Sequence, residues 1–164
     1  MVECNCSQTN FEEFSAMISL PSGEFLELTI RELMIPSERV AHVQIGNNLE
    51  HALLVLTKSG YTAIPVLDPH YKLHGLISTP IIMDSILGLE RIEFEQLEKK
   101  RVEEVMKGSI PRVKISAPIN KCLELLVNQP FLCVETDDGF FEGILPRSTI
   151  LNQLNKIISK IQNS

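Results

Sequence analysis

The stretch LHGLISTPII, Leu73 to Ile82, reads as a strand that reaches a helix start: Ser78 or Thr79 can cap, and Pro80 suits the first helical position. About seventy residues later the chain repeats the junction as FEGILPRSTI, Phe141 to Ile150. A junction written twice points to a duplicated unit, so internal similarity is sought before individual elements. ELM (Glu32 to Met34) lies over EVM (Glu104 to Met106) at an offset of 72. An offset of 70 puts Leu49, Ala52, Leu53, Val55 and Leu56 over Ile119, Cys122, Leu123, Leu125 and Leu126, and YTAI (Tyr61 to Ile64) over FLCV (Phe131 to Val134). Gly75 falls over Gly143 at an offset of 68. The order of features is kept and the drift is small, so the repeat is real.

Each copy has one order of elements. A helical turn opens it: TIRELM, with Thr29 and Glu32 at capping-box spacing, and RVEEVM, where Arg101 replaces the threonine and the cap is expected to be lost. Strands ERVAHVQ and IPRVKIS follow. NNLEHALLVLTKSG is an amphipathic helix opening on Asn47 or Asn48, burying Leu49, Ala52, Leu53 and Leu56, and ending at Gly60. YTAIPVLD then reads as a strand buried on both faces, and Asp68-Pro69 turns the chain back into YKLHGLIS. In the second copy Asp138-Gly139 joins FLCVETD to FFEGIL, and Ser148 or Thr149 starts a closing helix with Ile150, Leu151, Leu154, Ile157, Ile158 and Ile161 as its apolar stripe. The expected class is α/β (α+β), two units packed by their sheets over a shared core. The expected boundaries are a leader over 1–16, non-native or disordered, with Met17 as the natural start; a first repeat over 17–90; a charged connecting helix over 91–100; and a second repeat over 101–164.

Composition bounds the function. The 164 residues are 44% apolar and 22% charged, which is ordinary for a globular chain. No apolar run reaches a bilayer span, and no signal peptide opens the chain, so a cytoplasmic protein without membrane contact is expected. The net charge of −6 argues against broad nucleic-acid binding but leaves room for a small anion held by one or two arginines. Cys4 and Cys6 are too close to pair comfortably, while Cys122 and Cys133 sit in apolar patterns and read as buried free thiols.

A strand that runs straight into a capped helix offers unpaired N–H groups, which attract anions. Gly75 and Gly143 would let the backbone turn or a ligand approach closely. Arg147 is the one fixed positive charge at the second junction and can grip a phosphate with two parallel hydrogen bonds. Arg39 and Arg112 flank the first strands of the two copies. Solvation or pairing with the plentiful glutamates is the competing reading for any single arginine. His42, His51, His70 and His74 lack a third ligand at metal spacing, and neither a P-loop, a nucleophile elbow nor a paired-carboxylate arrangement appears, so neither a metal site nor catalysis is expected.

The segments ELM…RVAHV…NNLEHALLVL…GYTAIPVLD…LHGLIS and EVM…IPRV…PINKCLELLV…PFLCVETD…FEGIL resemble two CBS domains in tandem, a Bateman pair. More narrowly, MISLPSGEF, AHVQIGNNLEHALLVLTKSGYTAIPVLDP, LHGLI and ILGLERIEFE are similar to the stand-alone CBS-pair proteins of Gram-positive bacteria of the DarB or CbpB type, which bind cyclic di-AMP. The resemblance implies a homodimer of Bateman pairs, a nucleotide between the repeats and signalling without chemistry. It also implies protein targets, among them the bifunctional (p)ppGpp synthetase/hydrolase and pyruvate carboxylase. Carried onto this sequence, adenine and ribose contacts fall on Val40, Ala41, Tyr61, Thr62 and Ala63, with Arg39 beside them. The phosphate side falls on Pro146, Arg147, Ser148 and Thr149. Ala41 and Ala63 leave room for a flat base; Tyr61 offers a ring, as a stacking partner or as a core residue.

Two departures qualify the resemblance. Many CBS sites have a Gly-x-x-Ser/Thr-x-x-Asp run, but Ile81 stands at the aspartate position of the first copy, and Pro146 and Thr149 replace both polar residues of the second. Where DarB-type chains usually carry Thr-Arg-Arg, this one has Pro146-Arg147-Ser148. Losing one charge-assisted contact costs about 1.5–3 kcal/mol, roughly tenfold to a hundredfold or more in affinity. AMP, ADP or ATP is therefore the alternative ligand, and an adaptor that ignores nucleotide is the alternative role.

Overall fold

The computed structural model describes residues 28–163; the expected leader, Cys4, Cys6 and Met17 lie outside the described residues. The first copy contains α1 (Ile30–Leu33), β1 (Ile35–Pro36), β2 (Val43–Gln44), α2 (Leu49–Ser59), β3 (Ala63–Leu67), β4 (Leu73–Ser78) and α3 (Thr79–Ser85). Two short helices follow, α4 (Gln96–Lys99) and α5 (Val102–Val105). The second copy continues with β5 (Arg112–Lys114), α6 (Ile119–Leu126), β6 (Phe131–Glu135), β7 (Phe141–Pro146) and α7 (Arg147–Gln162). One sheet has the order β2-β3-β4 and the other β1-β7-β6-β5. Within each copy the first long helix crosses between parallel strands, β2 to β3 and β5 to β6, and a hairpin then returns antiparallel.

The second sheet contains a strand from the first copy. β1 pairs with β7, with Ile35 opposite Ile144 and Pro36 opposite Gly143. The reciprocal contact joins Leu76 of β4 to Lys107, whose N–H and C=O exchange hydrogen bonds of 2.8 and 2.9 Å with Leu76. Each copy thus lends its leading segment to the other copy's sheet. This gives Gly75 and Gly143 their reason. A Cβ at Gly143 would lie 2.1 Å from the carbonyl oxygen of Ile35, and one at Gly75 would lie 2.6 Å from the Met106 sulfur and 3.0 Å from the Lys107 oxygen. The glycines admit the backbone of the other copy rather than a turn or a ligand.

Three apolar clusters result. Leu49, Ala52, Leu56, Ile64 and Val66 centre the first, between α2 and one face of β3. Leu132, Val134, Cys122, Leu126 and Ile150 centre its counterpart in the second copy. Val40, Leu67, Leu73, Cys133, Phe141 and Ile144 form the third, which both copies share. β3 is buried at every position from Ile64 to Leu67, feeding one cluster on each face as expected of a two-faced strand. Cys122 and Cys133 are buried free thiols, and burial pushes the Cys133 thiol up to about 12.

Several local expectations change. ERVAHVQ begins within a 3-10 turn that spans Ser37–Arg39 and pairs only at Val43–Gln44, because Val40 turns into the shared cluster. IPRVKIS is likewise reduced to Arg112–Lys114. As expected, the helix opens on one of the two asparagines and stops at Gly60: Asn48 caps α2, accepting from the His51 N–H at 2.9 Å, and Gly60 closes it in the left-handed region at φ 72°. Leu53 is only half-buried. Thr29 donates its N–H and hydroxyl to Glu32, both at 2.8 Å. Half of that box survives in the second copy: the Arg101 N–H donates to Glu104 at 3.0 Å, so that cap is not wholly lost. Pro80 is the second residue of α3. α7 begins at Arg147 after Pro146, so Ser148 and Thr149 lie inside its first turn instead of capping it. Of 91–100, only Gln96–Lys99 is helical. Finally, the offset for YTAI is 68, not 70: Ala63 faces Ser78 as Phe131 faces Pro146, and Val66 faces Gly75 as Val134 faces Gly143. From the start of α6 to the start of β6 the chain is two residues shorter than from α2 to β3, because α6 has 8 residues against 11.

The glycine contacts rank two substitutions. At Gly143 the obstacle is backbone, whereas at Gly75 part of it is a flexible methionine. Gly143→Ala is expected to cost about 1–3 kcal/mol or more, and Gly75→Ala less. Thermal unfolding of both variants checks this; a larger loss at Gly75 would contradict the exchange as described.

Candidate functional site

The residues singled out from the sequence fall into two groups. Val40 is buried in the shared cluster, and Tyr61, half-buried, packs against both that cluster and the first copy's core. Ala41 packs on the same core. Ala63 heads β3 opposite Ser78, and Thr62 beside it is exposed. Arg39 is exposed at the end of the 3-10 turn, which packs against β7. These six residues lie just before or at the N-terminal ends of the first copy's two parallel strands, β2 and β3.

The second group sits at the entrance of α7. Arg147 is exposed; its backbone N–H donates to the Pro130 carbonyl at 2.9 Å, and Nη1 donates to the Val127 carbonyl at 3.3 Å. One bond occupies little of a guanidinium with five N–H donors. The N–H groups of Ser148 and Thr149 belong to a first turn, ahead of any helical acceptor. Pro146 faces Phe131 across the hairpin. Among the described residues, no hydrogen bond or ion pair joins Arg147 to the first group. The link is apolar: Ile144 and Phe131, next to this entrance, share a cluster with Val40 and Tyr61.

Phe131, Ile144 and Ile110, not singled out from the sequence, pack in the same cluster as Val40 and Tyr61. The signal was available in the repeat at its corrected offset, where Phe131 replaces Ala63. Equally, Pro111 stands where the first copy has Ala41, since Val43–Val66 and Val113–Val134 are equivalent pairs. Small residues therefore line only one of the two pseudo-equivalent positions. Arg112 is directed to the carboxyl end of β6, where Nη1 bonds Glu135 at 2.9 Å, away from the α7 entrance. His74 is taken by Asp68 at 3.0 Å, and that contact, after the Lys72 N–H, holds the Asp68 carboxyl down at about 2.

A family model for the CBS domain matches residues 30–88. Cyclic di-AMP receptor B of Bacillus subtilis (strain 168) is 59% identical over 145 residues, which cover 88% of this chain and 99% of the receptor. The chain belongs to the CBS-domain family. Among solved structures, a CBS domain-containing protein of unknown function from Bacillus anthracis is 62% identical, with a TM-score of 0.78 and coverage of 83% of this chain and 99% of that one. The CbpB protein of Listeria monocytogenes, solved in complex with c-di-AMP, is 55% identical, with a TM-score of 0.75 and coverage of 79% and 97%. The mixed α/β architecture with two packed sheets is thus that of a CBS pair. No helix among the described residues is long and apolar enough to cross a membrane.

If the first group is apolar and the entrance cationic, the two groups respond differently to mutation. Ala63→Phe copies the second copy's residue into the first and is expected to leave the unfolding midpoint within a few degrees. If Ala63 leaves room for a ligand's flat ring, this variant is expected to weaken ligand binding at least tenfold, as calorimetric titration would show.

Proposed function

We propose that this protein is a non-enzymatic receptor for cyclic di-AMP, held in the cleft between its two CBS repeats. The supporting observation is the asymmetry of the copies. The first copy has Ala41 and Ala63 where the second has Pro111 and Phe131, and the second has Arg147 at the helix entrance where the first has Thr79. In this reading the small residues of the first copy and the cationic entrance of the second face one cleft, and its pseudo-equivalent, with Pro111, Phe131 and Thr79, takes no nucleotide. One nucleotide per chain follows.

In this reading Tyr61 lies against one base, with backbone groups around Val40, Ala41 and Thr62 reading its edge. Arg147 and the first-turn N–H groups of α7 hold phosphate. Arg39 lies at the rim. The named relatives include a cyclic di-AMP receptor and a c-di-AMP complex, which favours this ligand over AMP, ADP or ATP. Pro146-Arg147-Ser148 supplies one arginine, so the affinity is expected to be moderate.

The rest of the role is regulatory and cytoplasmic: ligand state would decide docking on targets such as the (p)ppGpp synthetase/hydrolase or pyruvate carboxylase. A homodimer fits the outer face of α7, where Leu151, Ile158 and Ile161 are 58%, 45% and 47% exposed at helical spacing while Ile150 and Ile157 face inward. Ile158→Glu is expected to convert the dimer to monomer in analytical ultracentrifugation, and an unchanged mass would place the interface elsewhere.

Titration calorimetry with cyclic di-AMP, AMP, ADP and ATP tests the ligand. The expected outcome is saturable binding of cyclic di-AMP near one per chain, weakened at least tenfold by Arg147→Ala. Preference for AMP or ATP would make it an energy-charge sensor, and no binding would leave the adaptor.

A further inference from the structure

The duplicated unit is its own control: where the copies share a position but differ in chemistry, the fold does not demand the difference. The largest such change lies at the carboxyl end of β6. Leu67 ends β3 at 1% exposure inside the shared cluster, whereas its counterpart Glu135 ends β6 at 4% exposure with a full carboxylate. Both residues stand at the same register shift in their hairpins. A leucine fits this position, yet the second copy buries an acid there. Burying a carboxylate is costly, and its ion pairs rarely yield net stability.

The charge partners are also particular to the second copy. Arg112 Nη1 bonds Glu135 Oε1 at 2.9 Å; Lys114 Nζ lies 3.4 Å from Oε2 and donates to the Thr136 carbonyl at 3.1 Å. At an offset of 70 the first copy has His42 and Gln44 instead, and His51 where the second has Lys121. Lys121 is exposed and makes no hydrogen bond or ion pair among the described residues. These side chains, with Ser116 and Pro118, line a cavity of about 350 Å³. Its place, outside the carboxyl ends of the parallel strands β5 and β6, is the usual ligand crevice of an α/β layer. Such a volume falls at the small end of the range for small-molecule pockets, roughly 300–1,000 Å³.

The helix at this cavity differs in the same direction. Asn48 caps α2 in the first copy, but α6 starts from Pro118, whose side chain makes no capping bond. Three cations and an uncapped eight-residue helix therefore converge on one opening, against Glu135 inside and Asp137 at the rim, where Ser116 donates to it at 2.9 Å. Asp68 and the histidines of the first copy do not line it.

We propose that this cavity is a second ligand site, taking a small molecule through its phosphate group, with Glu135 positioning Arg112 and Lys114. Lys121 and the first turn of α6 complete the cradle. The site does not depend on the nucleotide cleft. Arg147 follows Pro146, which faces Phe131 at one end of β6, and Glu135 is at the other end, about 13 Å away at the rise of an extended strand.

The test uses the isotope-labelled full chain, titrated with inorganic pyrophosphate at constant ionic strength and followed by amide chemical shifts. Saturable shifts at 114–121 and at Glu135 are expected, weakened at least tenfold in the Lys114→Gln/Lys121→Gln variant, which retains its affinity for cyclic di-AMP. Glu135→Leu, the first copy's own choice, is expected to unfold cooperatively at a midpoint equal to or above that of the parent. Absence of saturable shifts, shifts centred on 147–149, or undiminished binding by the double variant would overturn the proposal. So would a Glu135→Leu chain that fails to fold, since the acid would then serve the fold.

Discussion

The architecture depends on one close approach: the carbonyl of Ile35 passes so near the Cα of Gly143 that no side chain fits between them. That contact seats β1 on the second copy's sheet, and Lys107 on Leu76 answers it on the first. Because β1 leads through the 3-10 turn directly to Val40 and Ala41, the strand that closes one copy's sheet also positions these two residues. The third cluster, with Val40, Leu67 and Leu73 from one copy and Cys133, Phe141 and Ile144 from the other, then fixes the distance between the two halves. Neither copy keeps its sheet complete alone.

Much of this was legible because duplication leaves a signal that survives sequence drift. The junctions at LHGLISTPII and FEGILPRSTI, the cap at Asn48, the stop at Gly60 and the two-faced burial of β3 all follow from local chemistry. The exchange was not legible, since a two-residue strand such as Ile35–Pro36 has no period and its partner lies over a hundred residues away. The two glycines were visible, but a glycine does not say what approaches it. The shift from 70 to 68 had the same origin: the loss of two residues between the start of α6 and β6 becomes visible only when Phe131 is seen opposite Pro146.

The site was half legible for a related reason. Ala41, Tyr61, Ala63 and Arg147 stand out as small, aromatic or charged residues in a repeat, whereas Phe131 and Ile144 look like ordinary core and gain meaning only from the packing of one copy on the other. The same comparison between copies separates two kinds of departure. Phe131 and Pro111 put larger side chains where the first copy has Ala63 and Ala41, while Glu135, Arg112, Lys114 and Lys121 add charge where it has Leu67, His42, Gln44 and His51. A duplicated protein can thus divide roles between its halves without changing its fold.

The central claim is that one nucleotide bridges both copies in the cleft set by the exchanged strand. Amide hydrogen exchange with and without cyclic di-AMP tests it directly. The account predicts that ligand slows exchange at 40–41, 61–63 and 147–149 together, and at β1 through its pairing with β7. Protection confined to one copy, or protection at 110–111 and 129–131 instead, would contradict it.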